Sequence, residues 1–149
     1  MRVAVAADHA GFELKGDLVA RLAISGHSVT DLGTHSTDPV DYPDFAAAVG
    51  RAVVSGKADR GIVVCGSGAG AAIAANKLDG VRCALAHDTY TAHQSVEHDD
   101  ANMLALGSRV VGAELAAEIA ATFLAARFSG EDRHRRRLQK VMALERERS

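Results

Sequence analysis

The sequence predicts a single α/β domain over residues 1–149, with a five-stranded parallel sheet covered by helices on both faces. Three observations support this fold class. The length of 149 residues is that of one ordinary domain. Short apolar runs alternate with helical patterns about five times along the chain. The connections are short, and no internal repeat or low-complexity segment interrupts the alternation.

The first half of the chain begins with a strand and a helix. The apolar run Arg2–Ala7 is rich in β-branched residues and predicts a buried strand, followed by a turn at Asp8–Gly11. Leucines at helical spacing predict a helix over Phe12–Ser25, with Gly26 just past its end. The segments predicted next are a strand at Ser28–Leu32, a polar loop at Gly33–Pro43, an Ala-rich helix at Phe45–Val54 and a strand at Gly61–Cys65.

The second half repeats the alternation. The predicted segments are a glycine-rich turn at Gly66–Gly70, a helix ending near Lys77, a strand at Val81–Ala86, a helix at Asp88–Val96, a strand at Met103–Leu106, a helix at Ala113–Ala126 and a charged helix at Glu131–Arg148. The apolar residues of the last helix need a covering surface, supplied by its own domain or by a second subunit. Because parallel strands end at a common edge, we expect the loops after four of them to meet there, beginning at Asp8, Cys65, His87 and Gly107.

Composition narrows the function classes. A formal charge of −2 gives no electrostatic reason to expect nucleic acid or acidic lipid as a partner. The apolar runs are shorter than a membrane span requires, and no signal peptide is evident. Two cysteines form no disulfide framework and indicate a reducing compartment. We therefore predict a cytoplasmic protein.

A glycine-rich loop, CGSGAG, follows the strongest strand and opens a helix. Its backbone N–H groups could bind a phosphate or a reaction oxyanion, or the glycines could simply form a tight turn. The loop lacks both the Gly-Lys-Ser/Thr of a Walker motif and the last glycine of the dinucleotide fingerprint. Cys65, at its start, is either a stabilised thiolate acting as base or nucleophile, or a small buried residue. Cys83 lies within a strand and is interpreted as a core residue.

Histidines and arginines supply further candidates. The histidine spacings do not favour a metal site. His98 could act as general acid or base because histidine titrates near neutral pH, or it could be a capping or solvated side chain. Arg133 and Arg137 lie one helical turn apart, a spacing that suits phosphate but also a solvated helix face. Arg109, after the fifth strand, is another candidate phosphate ligand.

Several motifs together resemble the ribose-5-phosphate isomerase B family, which includes the galactose-6-phosphate isomerase subunits. The matching stretches cover nearly the whole chain in the same order: VAVAADHAGFELK, DLGTHSTDPVDYPDFA, GIVVCGSGAGAAIAANK, EHDDAN, NMLALGSRVVGAELA and DRHRRR. The resemblance implies a doubly wound Rossmann-like sheet, no metal or other cofactor, and a homodimer or tetramer in which the C-terminal helix makes subunit contacts. It also implies active sites shared across the subunit interface.

The resemblance implies roles for individual residues. Cys65 matches the base that moves a proton between C1 and C2 of the sugar, and His98 matches the residue that assists ring opening. The loop that stabilises the enediolate is matched by Gly66, Ser67, Gly68 and Gly70, with Ser67 retaining a hydroxyl. Substrate contacts are matched by Asp8, His9, Tyr42 and Asp99, and phosphate ligands by Arg109, Arg133 and Arg137, with help from His9.

Two positions depart from the common family pattern. Some members use a Glu base at the position of Ala71, which here leaves the role to Cys65. Many members carry Asn where this chain has Asp99. The leading hypothesis is isomerisation of ribose 5-phosphate. The alternatives are isomerisation of a four- or six-carbon sugar phosphate, a catalytically silent sugar-phosphate-binding subunit, and a thiol-based redox or acyl-transfer enzyme.

Overall fold

The computed structural model describes residues 1–148, which form five strands and six helices. In chain order these are β1 (Arg2–Ala7), α1 (Phe12–Ile24), β2 (Ser28–Asp31), α2 (Tyr42–Val54), β3 (Arg60–Cys65), α3 (Ala69–Ala75), β4 (Cys83–Leu85), α4 (Thr89–Asp99), β5 (Met103–Gly107), α5 (Ala113–Ala125) and α6 (Asp132–Glu147). All strand pairs are parallel, in the order β2-β1-β3-β5-β4. The predicted five-stranded α/β fold is confirmed.

Apolar residues of the strands alternate between two cores, one on each face of the sheet. Ile62 and Val64 of β3 face the core covered by α1, α4 and α5, whereas Val63 and Cys65 face the core under α2 and α3. Strands buried on both faces need apolar residues at every position, which is why β1, β3 and β5 appear as uninterrupted apolar runs in the sequence.

Several predicted boundaries were wrong, and three of them affect the position of site residues or of the sheet edge. The loop predicted at Gly33–Pro43 ends earlier, because α2 begins at Tyr42 with Pro43 in its first turn, where a helix needs no N–H donor. Strand β4 is shorter than Val81–Ala86, since the Arg82 N–H bonds the Asn102 side chain instead of a strand. Helix α4 continues past Val96 to Asp99, so that His98 lies in its last turn.

Helix α6 is only partly covered by its own chain. It packs on the end of α4, and His134 is its buried residue. Val141 and Leu144 remain 50% and 63% exposed. A groove of about 500 Å³ separates this helix from the edge strand β4. The apolar face of α6 therefore lacks a complete partner within the described part of the chain.

Candidate active site

The loops that follow the strands meet at one edge of the sheet, as predicted. The Ser108 hydroxyl donates to the carbonyl of Ala10 at 2.7 Å, and its N–H donates to the carbonyl of Cys65 at 2.9 Å. The Gly107 N–H donates to Nε2 of His87 at 2.9 Å. These bonds join the loops after β1, β3, β4 and β5 into one surface, which we call the carboxyl edge.

Close contacts hold the glycine loop between β3 and α3 against this edge. Gly68 has a φ of +79°, and a Cβ there would lie 2.9 Å from the carbonyl carbon of Leu106. A Cβ at Gly107 would lie 2.6 Å from the carbonyl oxygen of Ser67. Both positions therefore require glycine, and the loop is fixed by its backbone contacts with β5.

Cys65 lies beneath this loop with its side chain almost fully buried, at 4% exposure. The Gly68 N–H donates to the Cys65 sulfur at 3.1 Å. A backbone donor in that position stabilises negative charge on sulfur. The Ser67 hydroxyl is exposed at the mouth of the loop, where it accepts the Ala69 N–H at 3.2 Å. The loop thus combines a buried sulfur beneath it with a hydroxyl at its surface.

Tyr42 and Arg109 border the loop on two sides. A Cβ at Gly70 would lie 2.7 Å from Cζ of Tyr42, so the phenol ring rests directly on the loop. A Cβ at Gly66 would lie 3.4 Å from Nη1 of Arg109. The guanidinium therefore adds positive charge beside the backbone N–H groups, and an anionic ligand would be attracted here.

Asp8 and His9 complete the carboxyl edge. Asp8 is 7% exposed, and its carboxylate accepts the Gly11 N–H at 3.1 Å. Nδ1 of His9 accepts the Val40 N–H at 3.2 Å. Because Nδ1 accepts, the proton of the neutral ring must lie on Nε2. His9 can therefore donate a hydrogen bond to a ligand oxygen without being charged.

The remaining predicted site residues lie elsewhere, in what we call the histidine–arginine cluster: His98, Asp99, Arg133 and Arg137, with His134. His98 stacks on the ring of His134, with ring centroids 4.1 Å apart and an interplanar angle of 26°. Arg133 and Arg137 are exposed at the start of α6, and Asp99 is exposed at the end of α4. One turn of α6 thus presents two guanidinium groups beside a half-buried histidine.

One subunit cannot bring the carboxyl edge and the histidine–arginine cluster together. Helix α4 begins at the carboxyl edge and runs back along the sheet for 11 residues, a length of about 16 Å. His98 consequently lies near the ends where the strands begin, whereas Cys65 lies where β3 ends. The structure assembles nine of the predicted site residues at the carboxyl edge and four in the histidine–arginine cluster.

Buried polar residues near both regions were missed from the sequence. His134 is 2% exposed, and its Nδ1 lies 2.5 Å from the Ser129 hydroxyl. Burial lowers the pKa of His134, and the neighbouring His98 and Arg133 lower it further. One signal was available, because His134 is spaced with Leu138 and Val141 on the apolar stripe of α6.

Lys15 was missed for a different reason. Its side chain is buried at 1% exposure, and Nζ donates to the Asp31 carboxylate at 2.9 Å and to the Thr34 carbonyl at 2.5 Å. Burial alone would raise the pKa of Asp31, but the bonds from Lys15 and the Gly33 N–H outweigh it, so that the pKa lies below its usual value. Lysine is so rarely buried that no sequence pattern indicated this pair.

Within residues 1–148, no group of three or more His, Cys, Asp or Glu side chains is placed to hold a metal ion. No helix there has the length and apolar character needed to cross a bilayer. Cys65 and Cys83 are both free thiols. Burial raises the pKa of Cys83 to about 12, which makes it a poor base at neutral pH.

A doubly wound parallel sheet with a buried thiol and a glycine-rich anion loop at its carboxyl edge defines a protein that handles a small anionic ligand. Residues 3–141 match the family model described as ribose/galactose isomerase. The chain therefore belongs to the ribose/galactose isomerase family, a class of aldose–ketose isomerases.

Individual relatives cover almost the whole chain. Ribose-5-phosphate isomerase B of Escherichia coli is 44% identical over 148 residues, which are 99% of each chain. D-erythrulose-4-phosphate isomerase of Pectobacterium atrosepticum is 42% identical over 134 residues, covering 87% of this chain and 86% of the relative. The solved structure of Clostridium thermocellum ribose-5-phosphate isomerase B is 48% identical and superimposes with a TM-score of 0.98 over 100% of both chains.

Proposed function

We propose that this protein interconverts ribose 5-phosphate and ribulose 5-phosphate by proton transfer through an enediolate, with Cys65 as the base and without a cofactor. The observation that carries the proposal is the hydrogen bond from Gly68 N–H to the Cys65 sulfur, 3.1 Å long, at the base of the glycine loop. It places the Cys65 sulfur beside a backbone donor, and proton abstraction beside a carbonyl requires a base next to such donors.

The reaction can be written on these groups. The Cys65 thiolate removes the proton from C2 of the open-chain aldose. The C–H electrons form a C1=C2 double bond while the carbonyl electrons move to O1, which becomes the enediolate oxygen. The thiol returns the proton to C1, the O2 hydroxyl loses its proton to form the ketone, and O1 gains one. Ser67 and the loop N–H groups stabilise the oxygen charge, a contribution worth several kcal/mol.

A complete site needs two subunits in this proposal. His98 would open the sugar ring, while Arg133 and Arg137 would hold the phosphate. His98 lies about 16 Å along α4 from the carboxyl edge of its own chain, and the two arginines lie on α6, which packs against α4. We propose that a second copy supplies them, in a homodimer or tetramer. Charge supports this arrangement, since exposed guanidinium groups are the ones best suited to bind phosphate bidentately.

The surface between β4 and α6 is the one we assign to this contact. Ile73 and Leu85 are 64% and 41% exposed beside the edge strand, and the groove under α6 continues from them. Such an apolar, unpaired strand edge is normally covered. Two free thiols suit a reducing compartment, and we place the enzyme in the cytoplasm on that basis.

Ribose 5-phosphate is the leading substrate because the E. coli and C. thermocellum relatives carry its name at 44% and 48% identity. A four-carbon sugar phosphate is the second candidate. The P. atrosepticum relative is named for one, and Asp99, a carboxylate where many members have an amide, would change hydrogen bonding to sugar hydroxyls. Six-carbon sugar phosphates and a silent binding subunit remain as outcomes of the test.

The test is a ketose-formation assay with ribose 5-phosphate and with other aldose phosphates, in the presence of chelator. We expect turnover that Cys65→Ala lowers by about 1,000-fold or more, with little loss of binding, because a positioned base acts in the transition state. Cys83→Ala is the matched control and should keep turnover. Turnover of a different aldose phosphate, without turnover of ribose 5-phosphate, would show that the substrate is another sugar. No turnover of any aldose phosphate would indicate a catalytically silent binding subunit.

A further inference from the structure

His134 has no role in the proposed reaction, yet it is the most completely buried polar side chain of α6. It is 2% exposed, and its Nε2 has no hydrogen-bond partner. A buried polar atom without a partner costs about 1–3 kcal/mol. A phenylalanine or leucine would fill the same volume without that cost, so packing alone does not account for a histidine here.

The Ser129 hydroxyl determines how the His134 ring is held. It accepts the Glu131 N–H at 3.2 Å and lies 2.5 Å from Nδ1 of His134. The bond between the Ser129 hydroxyl and Nδ1 therefore anchors the His134 ring on one side. The Ser129 N–H also donates to the Glu97 carbonyl at 2.9 Å, in the last turn of α4. Ser129 thereby links the ring to the helix end that carries His98.

The held ring lies flat against His98. The two centroids are 4.1 Å apart at 26°, a stacked geometry that restricts rotation of the half-buried His98 about its side-chain bonds. Burial lowers the pKa of His134 and favours its neutral form, so the stacked ring adds no positive charge beside His98. A proton-transfer group is effective only when its orientation is maintained, since a displacement of about 1 Å can cost 100-fold.

We propose that His134 is a positioning residue that orients His98 for sugar ring opening, with Ser129 fixing the His134 ring. The inference rests on the proposed function. Ring opening is needed only for substrates that cyclise. Ribose 5-phosphate forms a five-membered ring, whereas erythrose 4-phosphate cannot, because its C4 oxygen carries the phosphate. A defect in orienting His98 must therefore separate these two substrates.

The experiment compares kcat and KM for both substrates in wild type, His134→Asn, His134→Phe and Ser129→Ala. Asn keeps a polar partner for Ser129 but removes the ring, whereas Phe keeps the ring. We expect His134→Asn to lower kcat for ribose 5-phosphate about tenfold or more beyond its effect on erythrose 4-phosphate. His134→Phe and Ser129→Ala both keep a ring but lose the Ser129 bond, so each should show the same substrate preference with a smaller loss than His134→Asn.

Other outcomes would overturn the inference. Equal losses on both substrates would mean that His134 acts on folding or through the neighbouring arginines, and a rise of KM for both would identify the arginines. A His134→Phe enzyme that is as impaired as His134→Asn would exclude the stacked ring as the cause of the substrate preference. If the His134→Phe variant does not fold, unchanged kinetics in Ser129→Ala would exclude the same cause. Wild-type protein inactive with both sugars would refute the proposed function itself, a result distinct from any variant pattern.

Discussion

The carboxyl edge and the histidine–arginine cluster are built in opposite ways. At the carboxyl edge, Cys65 and the glycine loop pack so closely on the backbone after β5 that a Cβ at Gly107 would lie 2.6 Å from the Ser67 carbonyl oxygen. In the cluster, Arg133 and Arg137 are long, exposed side chains on one helix end. Proton transfer needs the more exact placement, whereas a phosphate can be held by flexible charges.

The rigidity of the carboxyl edge should make it the more sensitive region. We expect Gly68→Ala to lower kcat by about 100-fold or more, because a Cβ at φ +79° would collide with the Leu106 carbonyl carbon and displace the donor to Cys65. Steady-state kinetics and thermal unfolding would measure it. Gly16→Ala is the matched control, since no atom lies within 4 Å of its Cβ position. Equal kinetics in both variants would show that the loop is adaptable.

The proposed dependence of each region on a second chain can be tested by complementation. Cys65→Ala and Arg137→Ala damage different regions, so a mixed dimer of the two would contain one undamaged site. Random pairing of co-expressed subunits should give about a quarter of wild-type turnover at subsaturating substrate, where Cys65→Ala alone is nearly inactive and Arg137→Ala alone is impaired through its raised KM. An assay of the purified mixture at subsaturating substrate would measure this. Activity no greater than the sum of the separate variants would place the whole site in one chain.

Within the cluster, substitution of the proposed phosphate ligands and of the proposed ring-opening residue should change different kinetic parameters. We expect Arg137→Ala mainly to raise the apparent KM, by about tenfold, because a charged hydrogen bond to phosphate is lost in ground and transition states alike. His98→Ala should instead reduce turnover of cyclic substrates more than acyclic ones. Arg135→Ala, on the same helix but outside the proposed grip, is the control. Identical effects of His98→Ala and Arg137→Ala on both parameters would contradict the division of roles.

The smallest expected effect concerns stability. Lys15→Met removes a buried ammonium from Asp31, whose side chain is 33% exposed, and we expect a loss of about 2 kcal/mol in the free energy of unfolding. Because the pKa of Asp31 is lowered in the folded state, its contribution is present above the unfolded value of about 4 and is lost as the pH falls through the folded value. The difference between wild type and variant should therefore shrink below about pH 4.

Urea unfolding across pH 3 to 7 would measure this, with exposed Lys57→Met as the control. A pH-independent difference between Lys15→Met and wild type would assign the effect to packing rather than to the ion pair. Unchanged stability at neutral pH would mean that the Thr34 carbonyl and Asp31 are equally well satisfied without the lysine.

Periodicity and turn chemistry were sufficient to predict β1, β3, β5 and the meeting of their loops, because strands buried on both faces carry an uninterrupted apolar signal. Weaker elements were misplaced. Strand β4 pairs with one neighbour only and spans just Cys83–Leu85, which is shorter than predicted. The last turn of α4 is polar, so no apolar pattern indicated that the helix continues to Asp99. The assignment of His98 to an active site came from family resemblance.

By itself, the sequence determined the fold class, the glycine loop and the thiol at its start, because these depend on local patterns of apolar residues and glycines. Only the tertiary structure decided that Cys65 and His98 lie at opposite ends of the sheet, that Lys15 is paired in the interior and that His134 stacks on His98. Those facts depend on how distant segments pack. Lysine and histidine usually prefer water, but a hydrogen-bond partner in the interior allows them to be buried.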